Sequence, residues 1–227
     1  MRHRAMGVLM LVSGVLFIAA VINPPILPYW GDETPAAVKL AATHRGARFT
    51  TVWLLTLSIV AAIAAMELMA KAVDTDAARI GRTLYVVGAT LGLASTTYDL
   101  AVTSTLLDAK SLPDWYLGVA HWADGFGTAY FALLSPAALI AFAVAIQQTK
   151  VLARWMAVVL IIAAVLLLGQ YAAFRGALPF PQFLAFIVIG IGLLSRHPSA
   201  ETPLEPAGRH PLTGPHTAAA RSDPEVN

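Results

Sequence analysis

The stretch 81–104, GRTLYVVGATLGLASTTYDLAVTS, decides how this chain is read. It is the third of six apolar stretches long enough to cross a bilayer, and the only one with a carboxylate deep in its span. On a helix, Gly88, Gly92, Ser95, Thr96, Asp99 and Thr103 recur every three to four residues and share one face. Small residues let a neighbouring backbone approach closely, and Asp99 is poorly accommodated by lipid. This helix is expected to be the hub around which the others pack, with companions for Asp99 coming from adjacent segments.

The totals agree with a membrane setting. The chain has 227 residues, 58% hydrophobic and 12% charged, with a mean hydropathy of +0.69. Soluble domains carry about 25% charged residues. Half that charge, with several long apolar runs, implies an integral membrane protein. The formal net charge is +2 and no basic stripe is interleaved with aromatics, so nucleic acid is not an expected partner. The absence of cysteine excludes disulfides, thiolate metal sites, iron–sulfur clusters and cysteine nucleophiles.

Working outward gives an all-α polytopic bundle of six spans, at about 5–23, 50–70, 81–104, 126–147, 152–172 and 178–195. Arg2 and Arg4 precede the first run, which is long for a secretory signal and ends at Asn23-Pro24-Pro25 without a small-residue cleavage site. A retained first span is expected. Gly7 and Gly14 lie a heptad apart on it. Thr34 as N-cap, Pro35 in the first turn and Gly46 as C-cap frame a short outer-surface helix over 35–45. Glu67 and Lys71 form an i,i+4 pair at the inner end of span two, before a charged loop at 71–82.

The connector 105–124 holds Asp114, Trp115, Tyr116, His121, Trp122 and Asp124. Ser111 with Pro113 can start a helix there, and one running unbroken to Gln148, roughly 36 residues, would be about 54 Å long, against a bilayer core of about 30 Å. A break is therefore expected at Gly125-Phe126-Gly127, and a kink at Pro136. From Arg196 onward, recurrent prolines among small and polar residues predict a disordered tail, so the domains are 1–195 and 196–227.

Six spans put both termini on one side. Arg2, Arg4, Lys71, Arg79, Arg82, Lys150, Arg154 and Arg196 fall there, with Arg209 and Arg221 in the tail; Lys39, Arg45, Arg48, Lys110 and Arg175 fall on the other. This bias makes both termini cytoplasmic in a multi-pass protein of the plasma membrane.

Asp99 lies about 25 Å along its helix from Arg82, in the outer part of the bilayer. Gln170 is at similar depth, with Arg175 just above, and Arg45 and Arg48 precede span two on that side. Asp99, Gln170, Arg175, Arg48, His121 and Asp124 thus form a candidate polar or ion site. Two uses stand side by side. Asp99 is a structural anchor paired with an arginine or hydrogen-bonded to Thr, Tyr or Gln; or it binds a proton or cation in an outward-opening cavity. His121 and Asp124 share a helical face, but their spacing fits an interfacial histidine oriented by a carboxylate better than a metal site. No histidine lies in a span to ligate haem, and no nucleophile elbow, P-loop or dinucleotide fingerprint is present. No cofactor, metal or catalytic residue is expected. Gly88 and Gly92 form a G-x-x-x-G contact motif, used for internal packing or for a homodimer.

The layout of a capped outer helix (Thr34-Pro35 to Gly46), Arg48 before span two, a polar third span and an aromatic outer connector (Asp114-Trp115-Tyr116) resembles a bacterial group of six-span integral membrane proteins of unknown function. The resemblance covers about residues 5–195 and implies the fold, with no activity or site attached. Two functional classes follow from the residues. One is a non-enzymatic membrane component that meets the lipid bilayer and a second copy or a partner membrane protein. The other is a small-solute or ion transporter using Asp99 as a proton or cation site.

Overall fold

The computed structural model describes residues 2–23, 42–103, 113–174 and 179–195, and every regular element among them is helical. All belong to the unit Met1–Ser195; the tail Arg196–Asn227 is a separate unit outside the described residues. Most of the expected surface helix at 35–45, the connector at 104–112 and Arg175 also lie outside them.

Six helices follow one another: α1 (Arg2–Val21), α2 (Arg45–Val73), α3 (Asp76–Tyr98), α4 (Tyr116–Thr149), α5 (Arg154–Phe174) and α6 (Phe180–Leu194). The joints have local causes. Asp74 takes a left-handed conformation, φ 43°, and its N–H bonds the Ala70 carbonyl to end α2. Thr75 then caps α3 by accepting from the Ala78 amide, and Asp76 places a negative charge at the positive end of that helix. The α2–α3 connection is therefore Asp74-Thr75, far shorter than the loop expected at 71–82. Lys150, φ 56°, closes α4 in the same left-handed way.

Several boundaries differ from expectation. α2 begins at Arg45, so Gly46 sits in its first turn and caps nothing before it; His44 marks the junction. α3 runs from Asp76 into a wide π turn at Asp99–Thr103. α4 passes through Gly125–Gly127 without a break, and its irregularity is a π turn at Ala129–Leu134, one turn further on. Pro136 explains the shift. Proline donates no hydrogen bond and crowds the carbonyl one turn earlier, and a widened turn before it relieves both.

The helices close into an antiparallel ring in which each packs on its chain neighbours and α6 returns to α1. α3 is one member of this ring, resting mainly on α2 and α4, rather than a hub. Glycines set the closest approaches. A Cβ on Gly190 would stand 2.8 Å from the Gly7 carbonyl oxygen, and one on Gly14 would stand 2.8 Å from that of Phe183, so α1 and α6 meet backbone to backbone. Gly88 and Gly92 receive the Tyr130 ring from the π turn of α4, at 2.9 and 2.6 Å from the same hypothetical Cβ. The contact motif of α3 is thus filled from inside the bundle.

The ring interior is packed with Met66, Met69, Phe142, Leu160, Phe183 and Phe186, yet its outside is apolar too: Val12, Leu57, Val87, Val144, Val158 and Val165 are all exposed. Four helices are long and apolar enough to cross a membrane: His3–Val21, Arg45–Val73, Tyr116–Thr149 and Arg154–Phe174. α3, with its charged and polar residues, is not among them, and α6 is a shorter apolar helix. An exterior without polar cover on helices of this length is compatible with a membrane-embedded protein and costly in water.

Gly190→Val forces two backbones apart and should cost about 2 kcal/mol, read as a lower Tm in detergent. Gly125→Ala meets nothing within 4 Å. Its expected result is an unchanged or higher Tm, because alanine favours a helix by about 1 kcal/mol over glycine.

Candidate functional site

The tight Asp74-Thr75 turn fixes which residues of α2 and α3 face each other, since positions equidistant from a hairpin turn are opposite. Glu67 bonds Arg82 near the turn, Ile59 lies against Gly92 midway, and Arg48 meets Asp99 at the far end. Glu67 is therefore paired across helices with Arg82, in place of the expected Lys71 partner. The same register delivers a counter-charge to Asp99.

The guanidinium Nη2 of Arg48 donates to Oδ1 of Asp99 at 2.5 Å. Arg48 is only 4% exposed, whereas Asp99 retains 28%. A charge-assisted bond of this kind is strong because little water competes for it, and removing one partner strands the other. Both residues have further interactions, as do Tyr98 and Tyr116 beside them. Tyr116, fully buried at the start of α4, stacks on Tyr98 with ring centroids 6.4 Å apart. On the α1 side, Asn23 donates to the Ala47 carbonyl at 3.0 Å and to the Thr51 hydroxyl at 2.9 Å. One end of the ring is thus polar and joined across α1, α2, α3 and α4.

About 21 Å along α3 from Asp99 lies a second polar layer, centred on Tyr85. The Tyr130 hydroxyl donates to Tyr85 Oη at 3.0 Å. Gln182 Nε2 donates to Tyr85 at 2.8 Å and to Tyr130 at 3.3 Å, while Ser135 donates to Gln182 Oε1. All four side chains are 0% exposed. They tie α3, both sides of the π turn in α4, and α6 together across the ring. A third link is reciprocal: Ser13 Oγ donates to the Ser58 carbonyl at 2.9 Å and Ser58 Oγ to the Ser13 carbonyl at 2.8 Å, joining α1 to α2.

Of the residues singled out from sequence, Asp99 and Arg48 are brought together. His121 and Asp124 are exposed on α4, off its buried face of Tyr116, Ala120 and Ala123, and neither forms a hydrogen bond or ion pair with the described residues. Gln170 is likewise unbonded and part-buried on α5. Arg175 lies outside the described residues. No group of three or more His, Asp or Glu side chains among the described residues is arranged to hold a metal ion. The Tyr85–Tyr130–Ser135–Gln182 layer has no counterpart in the sequence analysis. One cue was available: Gln182 is the polar interruption at the head of an apolar helix.

Gln182→Leu leaves three buried hydroxyls short of a partner, at a cost of about 1–3 kcal/mol. Tm measurements on Gln182→Leu, Tyr85→Phe and the double variant should show the pair losing less than the sum of the singles. Additive losses would mean the two side chains act separately.

The chain matches no protein-family model, no curated protein and no solved structure.

Proposed function

We propose that this chain is a six-span integral membrane protein of the plasma membrane, with both termini cytoplasmic. In this reading it is a non-enzymatic membrane component. Its polar groups hold the ring closed and give it a polar outer end, where a partner protein or lipid docks. α3 and α6 complete the span count: α3 packs between α2 and α4 and its exposed threonines bond their own helix, and α6 is short but wholly apolar apart from Gln182.

The observation that carries this reading is the Arg48–Asp99 ion pair. A carboxylate whose charge is already answered by a buried guanidinium is an anchor first, and a site for a mobile cation only if the arginine withdraws. The remaining polar layer supports the same use, since each of its side chains is hydrogen-bonded to another. A second reading, a small-solute or ion transporter using Asp99, draws on a specific feature: Asp99 opens a π turn and keeps 28% exposure. Wide turns of this kind are common at functional sites.

Asp99→Asn separates the two. The structural reading expects a marked loss of folded protein, about 3 kcal/mol, with partial recovery in the charge-swapped pair Arg48→Asp/Asp99→Arg. The transporter reading expects a folded variant that has lost pH-dependent uptake in proteoliposomes. Topology has its own test: reporters fused after Ser195 and inserted at Lys110 should report opposite sides, and same-side signals would contradict six spans.

A further inference from the structure

At the end of the ring opposite the Arg48–Asp99 pair, charge is unevenly answered. Glu67 is bonded to Arg82, and Asp74 and Asp76 to Arg79, so each described acid there has its cation. Lys150 and Arg154 flank the α4–α5 turn, are exposed, and form no ion pair with the described residues. No counter-charge stands near them along the chain either, for the sequence has no acidic residue between Asp124 and Glu201. Among the described residues, the surface of α4 beyond Asp124, the turn, α5 and α6 therefore carries only these two formal charges, both positive.

The turn also fixes how the two cations meet the apolar exterior. Leu152 is 2% exposed and pins the turn to the core, whereas Val151 beside it is 48% exposed. Trp155 lies across α6: a Cβ on Gly192 would stand 2.4 Å from its ring, so the missing side chain seats the indole. Arg154, Val158, Ile162 and Val165 recur every three to four residues, share one face of α5, and are all exposed. A cation thus heads an apolar stripe about 16 Å long. Lys150 precedes Arg154 by four residues, at most about 14 Å of chain, so both side chains can reach one head group.

We propose that the α4–α5 turn binds the head group of one anionic phospholipid. Lys150 and Arg154 take the phosphate, and an acyl chain lies along Val158, Ile162 and Val165. Basic groups next to a lipid-facing helix attract anionic lipid, and here no acid of the same surface competes for them. Lys71 is less suited, being one turn from both Glu67 and Asp74 on its own chain. A second copy of the bundle fits less well, because it would set the same two positive charges against each other. A soluble anion would leave the stripe unused. The inference rests on the membrane-embedded reading above.

The test places wild type in nanodiscs of phosphatidylcholine with a minority of phosphatidylglycerol, and counts retained lipids by native mass spectrometry. Wild type should retain one phosphatidylglycerol, enriched roughly tenfold over its share of the disc, and the enrichment should fall as salt rises. Lys150→Gln/Arg154→Gln should lose it while keeping the wild-type Tm in phosphatidylcholine. Arg4→Gln/Lys71→Gln removes as much charge from the same end and should keep it. No enrichment in wild type, or enrichment indifferent to salt, would overturn the proposal. So would unchanged retention by Lys150→Gln/Arg154→Gln, or an equal loss in Arg4→Gln/Lys71→Gln, which would mean attraction to the whole end and not to the turn. Glycerol phosphate retained as well as the lipid would overturn it in favour of a soluble anion. A wild-type dimer in phosphatidylcholine that Lys150→Gln/Arg154→Gln abolishes would overturn it in favour of a second copy. A chain that fails to enter nanodiscs would overturn the embedding itself, whereas an embedded chain without enrichment overturns the lipid site alone.

Discussion

Hydrocarbon contains no water to answer a polar group, so each one inside a bilayer has to be matched by another. Helices meet that demand for their own backbones. Hydroxyls such as those of Thr56, Thr90 and Thr97 bond carbonyls of their own helix. Other side chains pair between helices, at the Ser13–Ser58 exchange, in the layer of Tyr85, Tyr130, Ser135 and Gln182, and at the Arg48–Asp99 pair. Such bonds contribute only about 1 kcal/mol each in membranes, so cohesion comes chiefly from close packing at Gly7, Gly14, Gly88, Gly92 and Gly190. The polar links act mainly on register, because a helix displaced by one turn would leave its hydroxyls, amides and charges unanswered.

A short turn has long consequences here. Because α2 and α3 are joined by Asp74 and Thr75 alone, one register governs their whole length, from Glu67–Arg82 near the turn to Arg48–Asp99 at the far end. The π turn of α4 plays a comparable part. It lies beside Gly88 and Gly92 and carries Tyr130 into the gap that the missing side chains leave. The ring hydroxyl then reaches Tyr85, and Gln182 arrives from α6 to join both. Irregular backbone, small residues and a buried hydrogen-bond layer are thus parts of one contact.

Much of the architecture was legible in the residues. The apolar runs pointed to an all-helical chain with several long apolar helices, and four of the helices are long and apolar enough to cross a bilayer. The need of Asp99 for a companion was also legible, since a carboxylate has few options in lipid. Details that depend on contacts distant in sequence were not. Glu67 was matched with Lys71 because an i,i+4 neighbour is visible in a single helix, whereas Arg82 comes near only through the tight hairpin. Gly125 and Gly127 looked like a hinge, but glycines break helices only when nothing else holds them, and α4 is held by Tyr116, Ala120 and Ala123. The inner polar layer was hidden because tyrosine, serine and glutamine are unremarkable singly; 97 residues separate Tyr85 from Gln182.

The central claim is that the apolar outside of this ring faces lipid while its polar groups face one another. The chain has no cysteine, so single cysteines can be introduced and spin-labelled without background. Labels at Val12, Leu57 and Val165, all exposed and apolar, should collide readily with dissolved oxygen and hardly at all with a water-soluble nickel chelate in reconstituted bilayers. Ready collision with the nickel chelate at those positions would contradict the claim.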